Sequence, residues 1–377
     1  MDRAHFGFMN RRAALKTLSA ALLGAEAAAC ARHPASHFWP DPRAARRFAR
    51  VRVDPSRVIR TVVGLRPYRP SGFVVRAERL DDKTVIHNYG HGGGGITLSW
   101  GTADLAVQEA MLVDAPACAV VGCGAVGLAT ARLLQRRGRQ VTIYARDLPP
   151  HTTSNIAGGQ WAPYSVVDDA SMTPAFREQF VRAARLSHRH FQDLLGPGYG
   201  VRWIENYVVS DDPIRHGWFF EELPELFHDV GQLDPDQHPF RRRYAQRFAT
   251  MFVEPPVYLP ALTRDFQLAG GRIVVRDFAD RASLMTLSEP LIVNCTGLGA
   301  RALFGDTELT AVKGQLHVLL PQPEVDYIVL AGGLYMFPRS DGILLGGTFE
   351  RDVWTLEPNP DETRRILEGH ARLFGTT

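Results

Sequence analysis

The order of apolar and polar positions marks out strand-like and helix-like stretches from about residue 51 onward. Val51 to Lys83 alternates apolar and charged residues around Gly64-Leu65-Arg66-Pro67-Tyr68-Arg69-Pro70, which predicts short strands and turns. Thr84 to Tyr89 predicts a strand. Ile96, Trp100, Ala103, Val107, Ala110 and Met111 then recur at helical spacing. Ala117 to Val121 is a short apolar strand, followed by a glycine turn, a helix to about Arg137 closed by Gly138, and a second strand from Gln140 to Ala145. Tyr258 to Ala269 predicts a helix capped by Gly270-Gly271 and leading into a strand, Arg272 to Val275. Leu291 to Gly297 is a buried strand ending in a Thr-Gly turn. Val312 to Leu320 and Tyr327 to Phe337 predict further strands, with Gly342 to Thr348 completing a hairpin. The region 151–254 is mixed, broken by Pro and Gly, and no internal repeat is present.

A chain of 377 residues can hold two cooperating domains with a sizeable core. A formal charge of +3 implies no global attraction to nucleic acid or anionic lipid, and Arg241-Arg242-Arg243 reads as a solvated face. Four cysteines make no disulfide scaffold, and Cys118, Cys123 and Cys295 read as buried thiols. The front of the chain differs from the rest. Asn10-Arg11-Arg12-Ala13-Ala14-Leu15-Lys16 and the Ala/Leu stretch through Ala29 resemble a twin-arginine export signal, so residues 1–30 are expected to direct export to a periplasmic or other extracytoplasmic site. Glu26 interrupts the apolar run, which makes it a poor membrane span. Cys30 follows a small-residue cleavage site and stands where a lipoprotein carries its acyl chain, although Ala27 replaces the usual leucine. The alternative is a leader that is never removed, on a cytoplasmic protein. Residues 31–50, with Pro34, Pro40 and Pro42, read as a linker.

Two glycine-rich turns carry the candidate chemistry. His87-Asn88-Tyr89-Gly90-His91-Gly92-Gly93-Gly94-Gly95-Ile96-Thr97 precedes Gly122-Cys123-Gly124-Ala125-Val126-Gly127. Each follows a strand and opens a helix, so each can aim backbone N–H groups at a phosphate or a flavin. The second sits in a compact βαβ unit, where glycines permit a tight turn and a close approach to a pyrophosphate. His87 and His91 are four apart on a strand and turn rather than on a helix, a poor arrangement for a metal.

Further blocks are Arg146-Asp147-Leu148-Pro149-Pro150-His151-Thr152-Thr153-Ser154-Asn155-Ile156-Ala157-Gly158-Gly159-Gln160-Trp161 and Val293-Asn294-Cys295-Thr296-Gly297. With the Arg66 and His87 blocks they resemble the D-amino acid oxidase family, over nearly the whole chain from about residue 51. Members begin with the G-x-G-x-x-G unit and end with the arginine turn and the His87-type block, whereas here those closing blocks come first. A circular permutation accounts for that order, with old ends fused near Val113 to Ala117 and new ends opened between about Leu373 and Val53. A wrongly assembled gene is the alternative.

The resemblance implies an α/β fold: an FAD-binding, Rossmann-like part with a parallel sheet (84–160 and 255–308), plus a mainly antiparallel α+β substrate part (51–83, 161–254 and 309–377). It implies oxidative deamination of D-amino acids to 2-oxo acids, ammonia and hydrogen peroxide, with FAD as cofactor and dioxygen as acceptor. Arg66 is the expected carboxylate ligand because a guanidinium donates two parallel hydrogen bonds. Arg69 competes with it, and a surface ion pair is the bland reading of either. Tyr335 matches a family tyrosine on the same carboxylate, and equally an ordinary strand aromatic. The second substrate tyrosine of animal members is Ala331 here. The Gly93 carbonyl is expected to accept from the substrate amine. For FAD, Gly122, Gly124, Ala125, Val126 and Gly127 would cradle the pyrophosphate. Arg146 and Asp147 would meet the adenosine end. Thr152, Thr153, Gly159, Gln160 and Trp161 would line the flavin, as would Gly92, Gly93, Gly95, Ile96 and Thr97. Phe349 stands where D-aspartate oxidases carry an arginine, which favours neutral side chains. The rivals are another amine-oxidising flavoprotein of the glycine or sarcosine oxidase kind or a dehydrogenase that avoids dioxygen, an NADP-dependent reductase suggested by Arg146, and a flavin-binding relic without catalysis.

Overall fold

The computed structural model describes residues 48–375; the leader, Cys30 and residues 31–47 of the expected linker lie outside them. From Asp54 onward the chain forms strands β1 (Val58–Tyr68), β2 (Val74–Leu80) and β3 (Lys83–Tyr89), then helix α1 (Ser99–Ala110). Next come β4 (Ala117–Val121), α2 (Ala125–Arg136), β5 (Gln140–Ala145) and the single turn α3 (Thr153–Ile156). The long helix α4 (Pro174–Gln192) leads to β6 (Val201–Ser210), α5 (Trp218–Glu222), β7 (His228–Leu233) and β8 (Tyr244–Val253). Then follow α6 (Pro255–Leu268), β9 (Arg272–Val275), α7 (Arg281–Met285), β10 (Leu291–Asn294) and α8 (Gly299–Phe304). The last elements are β11 (Thr310–Leu319), β12 (Tyr327–Ala331), β13 (Leu334–Arg339), β14 (Gly342–Gly346), β15 (Glu350–Arg351) and α9 (Pro360–Phe374).

Two sheets organise these elements. The six-stranded sheet runs β2-β3-β10-β4-β5-β9, parallel throughout except for β2, which pairs antiparallel with β3. Val85, Ile86, Cys118, Ala119, Val120, Ile292 and Val293 are each 0% exposed, as expected of strands covered on both faces. One face packs on α1, α2, α4 and α6 through Trp100, Leu128, Phe180 and Tyr258, and the Trp100 indole N–H donates 2.7 Å to the Tyr258 hydroxyl. The other face packs on Phe278, Leu284 and Leu303. The nine-stranded sheet runs β1-β11-β14-β13-β12-β6-β8-β7, with β15 on β11, and only β12 and β6 pair in parallel. This is the expected α/β architecture.

Three local expectations change. Tyr327 to Phe337 is a hairpin rather than one strand, because Gly332 (φ 54°) and Gly333 (φ 86°) take two successive left-handed positions and reverse the chain. β2, inside the 51–83 segment expected with the antiparallel sheet, instead edges the parallel one; its alternation fixed its type but not its partner. Phe48, at the end of the expected linker, packs edge-to-face on Tyr207, Phe240 and Tyr327. No helix among the described residues is long and apolar enough to cross a membrane.

Candidate active site

The turn after β4 is shaped by what a side chain would hit. Gly122 has φ +114°, and a Cβ there would lie 2.3 Å from the Cys295 carbonyl oxygen at the end of β10. A Cβ on Gly127 would lie 2.1 Å from the Gly122 oxygen, so the first turn of α2 sits directly on the glycine loop. Gly124 is the N-cap of α2 and carries no side chain to block the helix end. The Ala125 N–H is met at 3.0 Å by the Ser154 hydroxyl. The first turn of α2 therefore opens towards residues 152–154 with backbone donors and the positive end of a twelve-residue helix, a cradle that fits a dinucleotide pyrophosphate.

Around that cradle, Thr152 donates 2.8 Å to Asn155 and begins α3, and Thr153 is exposed beside it. Arg146 and Asp147 pair with each other at 2.9 Å on the surface past β5. Gly159 (φ +100°) and Trp161 join the edge of β8 through Val253 N to Gly159 O at 2.8 Å and Trp161 N to Met251 O at 2.8 Å. Gln160 is anchored by a 2.7 Å bond to Asn206. The Trp161 ring is 0% exposed and packs edge-on to His188, and its backbone is held by the Met251 carbonyl and the Thr250 hydroxyl.

The His87 block reaches the same place. Tyr68, at the end of β1, bridges to His91, which brings β1 to the head of the glycine turn. Gly92 (φ +54°) could not carry a Cβ, which would meet the Ser165 carbonyl at 2.3 Å. Gly93 donates 2.9 Å to that carbonyl and is exposed between buried neighbours, and no hydrogen bond among the described residues ends on its own carbonyl. Gly95 and Ile96 continue the turn, and the Thr97 hydroxyl donates 3.2 Å to the Ala162 carbonyl. Thus the early block and the 152–164 segment, far apart in sequence, are joined at the N-terminus of α1. His87 is held by Glu78 (2.9 Å) and Asn294 (3.1 Å), and His91 by Thr102 (2.9 Å). Burial keeps His91 neutral, its pKa pulled down to about 3. No group of three or more His, Cys, Asp or Glu among the described residues is placed to hold a metal.

The two candidate arginines have different environments. Arg69 is saturated: Asp306 at 2.8 Å, Glu308 at 2.5 Å, and Ser71 and the Gly72 carbonyl at 2.9 Å each. Arg66 is half-buried on β1 and meets only neutral oxygens, the Tyr335 hydroxyl and the Thr348 carbonyl, both at 3.4 Å. No carboxylate among the described residues pairs with it. Its guanidinium lies over Gly314 of β11, where a Cβ would come within 2.7 Å, and Gly346 clears the space for the Tyr335 ring in the same way. Phe349 stacks 5.9 Å from the Arg66 guanidinium and is 43% exposed. Arg351 lies 5.5 Å from the same ring, paired with Asp168 at 2.6 Å, while Tyr68 donates 2.5 Å to that aspartate. Ala331 is buried in β12. The three thiols are buried and pushed up to about 12, so they are unreactive.

Sequence reasoning missed Ser154, Gly314 and Gly346. Ser154 stood within a quoted block, but its position on the α2 end depends on how the loop folds back. A glycine inside an apolar strand was the only advance signal for Gly314 and Gly346.

A family model described as FAD dependent oxidoreductase matches residues 22–109 and 117–376. A D-amino-acid oxidase of Streptomyces coelicolor is 32% identical over 271 residues, 67% of this chain and 76% of that protein. A human D-aspartate oxidase is 30% identical over 262 residues, 68% of this chain and 75% of that protein. Among solved structures, glycine oxidase from Geobacillus kaustophilus aligns with a TM-score of 0.52 at 20% identity, over 68% of this chain and 77% of that one, which shows a shared fold.

Proposed function

The chain belongs to the FAD-dependent oxidoreductase family that these matches define, and on that premise we propose that it oxidises D-amino acids to 2-oxo acids, releasing ammonia and passing two electrons to dioxygen to give hydrogen peroxide. The observation that carries this reading is Arg66: a half-buried cation whose partners among the described residues are all neutral, beside the Tyr335 hydroxyl. A buried charge without a counter-ion is costly, and a substrate carboxylate relieves that cost.

FAD supplies the hydride acceptor when bound. Arg66 and Tyr335 hold the carboxylate. The Gly93 carbonyl accepts from the amine and fixes which face of the α-carbon is presented. Gly122, Gly124, Ala125, Val126 and Gly127 receive the pyrophosphate. Asp147, with Arg146, faces the adenosine end. Thr152 to Trp161 and the Gly92 to Thr97 turn flank the flavin. No side chain is required as a general base if the amine binds neutral. Phe349 in place of a cation favours neutral side chains.

The permuted order is part of the same proposal. It is supported by the break in the family match at residues 110–116, the link between α1 and β4, whose carbonyls at Val113 and Ala115 are both held by Arg139. It is also supported by Arg50, which donates 3.0 Å to the Phe374 carbonyl and so puts the two ends of the described segment side by side. Export by way of the Arg11-Arg12 leader is proposed from its sequence alone.

The test is a visible spectrum taken anaerobically before and after D-alanine, with L-alanine as control. The expected result is a flavin band that bleaches with the D-isomer only. A band indifferent to both isomers, or no flavin after reconstitution with FAD, would overturn the reading.

A further inference from the structure

Arg339 ends β13, four residues beyond Tyr335, and its side chain is 4% exposed. Its guanidinium is shared between two neighbours. Nε and Nη2 donate to the two oxygens of Asp341, at 2.7 and 2.6 Å. Nη1 donates to the backbone carbonyls of Asn155 and Ala157, at 3.3 and 3.0 Å. Asp341 also pairs with Arg60, on the same strand as Arg66. One buried guanidinium therefore ties the 153–158 loop to both strands that carry the carboxylate ligands.

The surrounding packing leaves that loop little freedom. Ile156 lies 3.1 Å from where a Cβ of Gly64, in β1, would stand, and a Cβ on Gly158 would lie 2.3 Å from the Phe337 ring of β13. Ser154, in the same loop, touches the first N–H of α2. The loop is thus wedged between β1 and β13 on one side and the cradle on the other. Two free carbonyls on an apolar wedge need a donor, and a bidentate aspartate fixes the direction from which Arg339 gives it.

We propose that Arg339 is a positioning residue for the reaction: held by Asp341, it sets the distance between the carboxylate site at Arg66 and Tyr335 and the loop against which the flavin lies. The inference rests on the functional reading above. It predicts that loosening Arg339 separates binding from chemistry, because the carboxylate ligands stay in place while the two reacting partners lose their spacing.

The holoenzyme variants Arg339→Gln, Arg339→Lys and Asp341→Asn test it, with wild type alongside. FAD dissociation is read by flavin fluorescence, and flavin bleaching by stopped-flow under anaerobic D-alanine. Arg339→Gln is expected to weaken FAD and to lower the limiting bleaching rate by about tenfold each, while half-saturating D-alanine moves by less than about twofold. Arg339→Lys should recover part of both losses. Asp341→Asn should show the same pattern at smaller size, and it decides the matter if Arg339→Gln does not fold. Variants that only melt earlier, with FAD affinity and limiting rate as in wild type, overturn the inference. So does an equal loss in D-alanine binding and in rate. Wild type that takes up no FAD overturns the functional reading first, whereas wild type that bleaches normally beside unaffected variants overturns the positioning role alone.

Discussion

Gly314 lies beneath the Arg66 guanidinium, and a Cβ at that position would stand 2.7 Å from Nη2 and 2.8 Å from the central carbon. The clash is with the far end of a flexible side chain, so the backbone can stay where it is. Gly314→Ala is therefore expected to move the guanidinium away from Tyr335 and raise KM for D-alanine by roughly tenfold, the loss of about one charged hydrogen bond. FAD binding and melting temperature should barely change. Steady-state kinetics with a thermal melt checks this, and an unchanged KM would show that Arg66 does not bind substrate from this position.

Arg66 and Arg69 sit three residues apart and should fail in opposite ways. Arg66→Leu removes a cation that no carboxylate among the described residues balances, so KM should rise by about 100-fold or more with FAD retained. Arg69→Leu strands Asp306 and Glu308, and breaking a buried ion pair typically costs about 3–5 kcal/mol. That variant should melt well below wild type while the surviving folded enzyme keeps a near-normal KM. The reverse pattern would exchange their roles.

Phe349→Arg puts a cation where the phenyl ring now stands, 5.9 Å from the Arg66 guanidinium and 5.5 Å from that of Arg351. The ratio of kcat/KM for D-aspartate over D-alanine should rise by roughly tenfold or more, since a new charged pair at a half-exposed site is worth about 1–2 kcal/mol. Paired assays on the two substrates decide it, and an unchanged ratio removes Phe349 from the choice of substrate.

Burial keeps three histidines neutral: His91 at about 3, and His188 and His370 at about 4, against 6.5 when unfolded. In each case the folded value is the lower one. Below pH 6.5 the unfolded chain takes up protons that the folded chain refuses. Stability from these groups is thus present above pH 6.5 and lost as pH falls towards 4, at up to about 1.4 kcal/mol per pH unit per histidine. Denaturant unfolding from pH 7.5 to 5 should show this slope, to which His87, His190, His238 and His317, also lowered by burial, add, and His91→Gln should make it shallower. Equal slopes in the two proteins would mean that His91 is charged in the fold.

What the chain revealed in advance was what local pattern controls. The apolar runs at Val85, Cys118 to Val121 and Leu291 to Val293 are the buried parallel strands, and the Gly122 to Gly127 spacing is the helix-end cradle. What stayed hidden depends on contacts between distant segments. Nothing near Arg69 announces Asp306 and Glu308, and nothing near Arg339 announces the Asn155 and Ala157 carbonyls. The Gly332-Gly333 reversal was written in the sequence, but two aromatic and aliphatic runs around it read equally well as one strand.

The proposed circular permutation makes a prediction that needs no assay of catalysis. Arg50 reaches the Phe374 carbonyl at 3.0 Å, and Phe48 packs on Phe240, whose ring also contacts Phe374. A short flexible linker from Thr377 to Phe48 should therefore close that gap without moving α9 or β1. Opening the chain between Leu112 and Asp114 would cut a link outside α1 and β4, and it would release the Arg139 bond to the Val113 carbonyl, the Val113 bonds to Ala110 and Ala115, and the packing of Val113. A chain rearranged in this way, beginning at Asp114 and ending at Leu112, keeps both glycine turns, β1 and β13 intact. It is expected to bind FAD with the same visible spectrum and to melt within a few degrees of the original. If the rearranged chain folds but takes up no flavin, the link between α1 and β4 is itself part of the cofactor site, and the two orders are not equivalent.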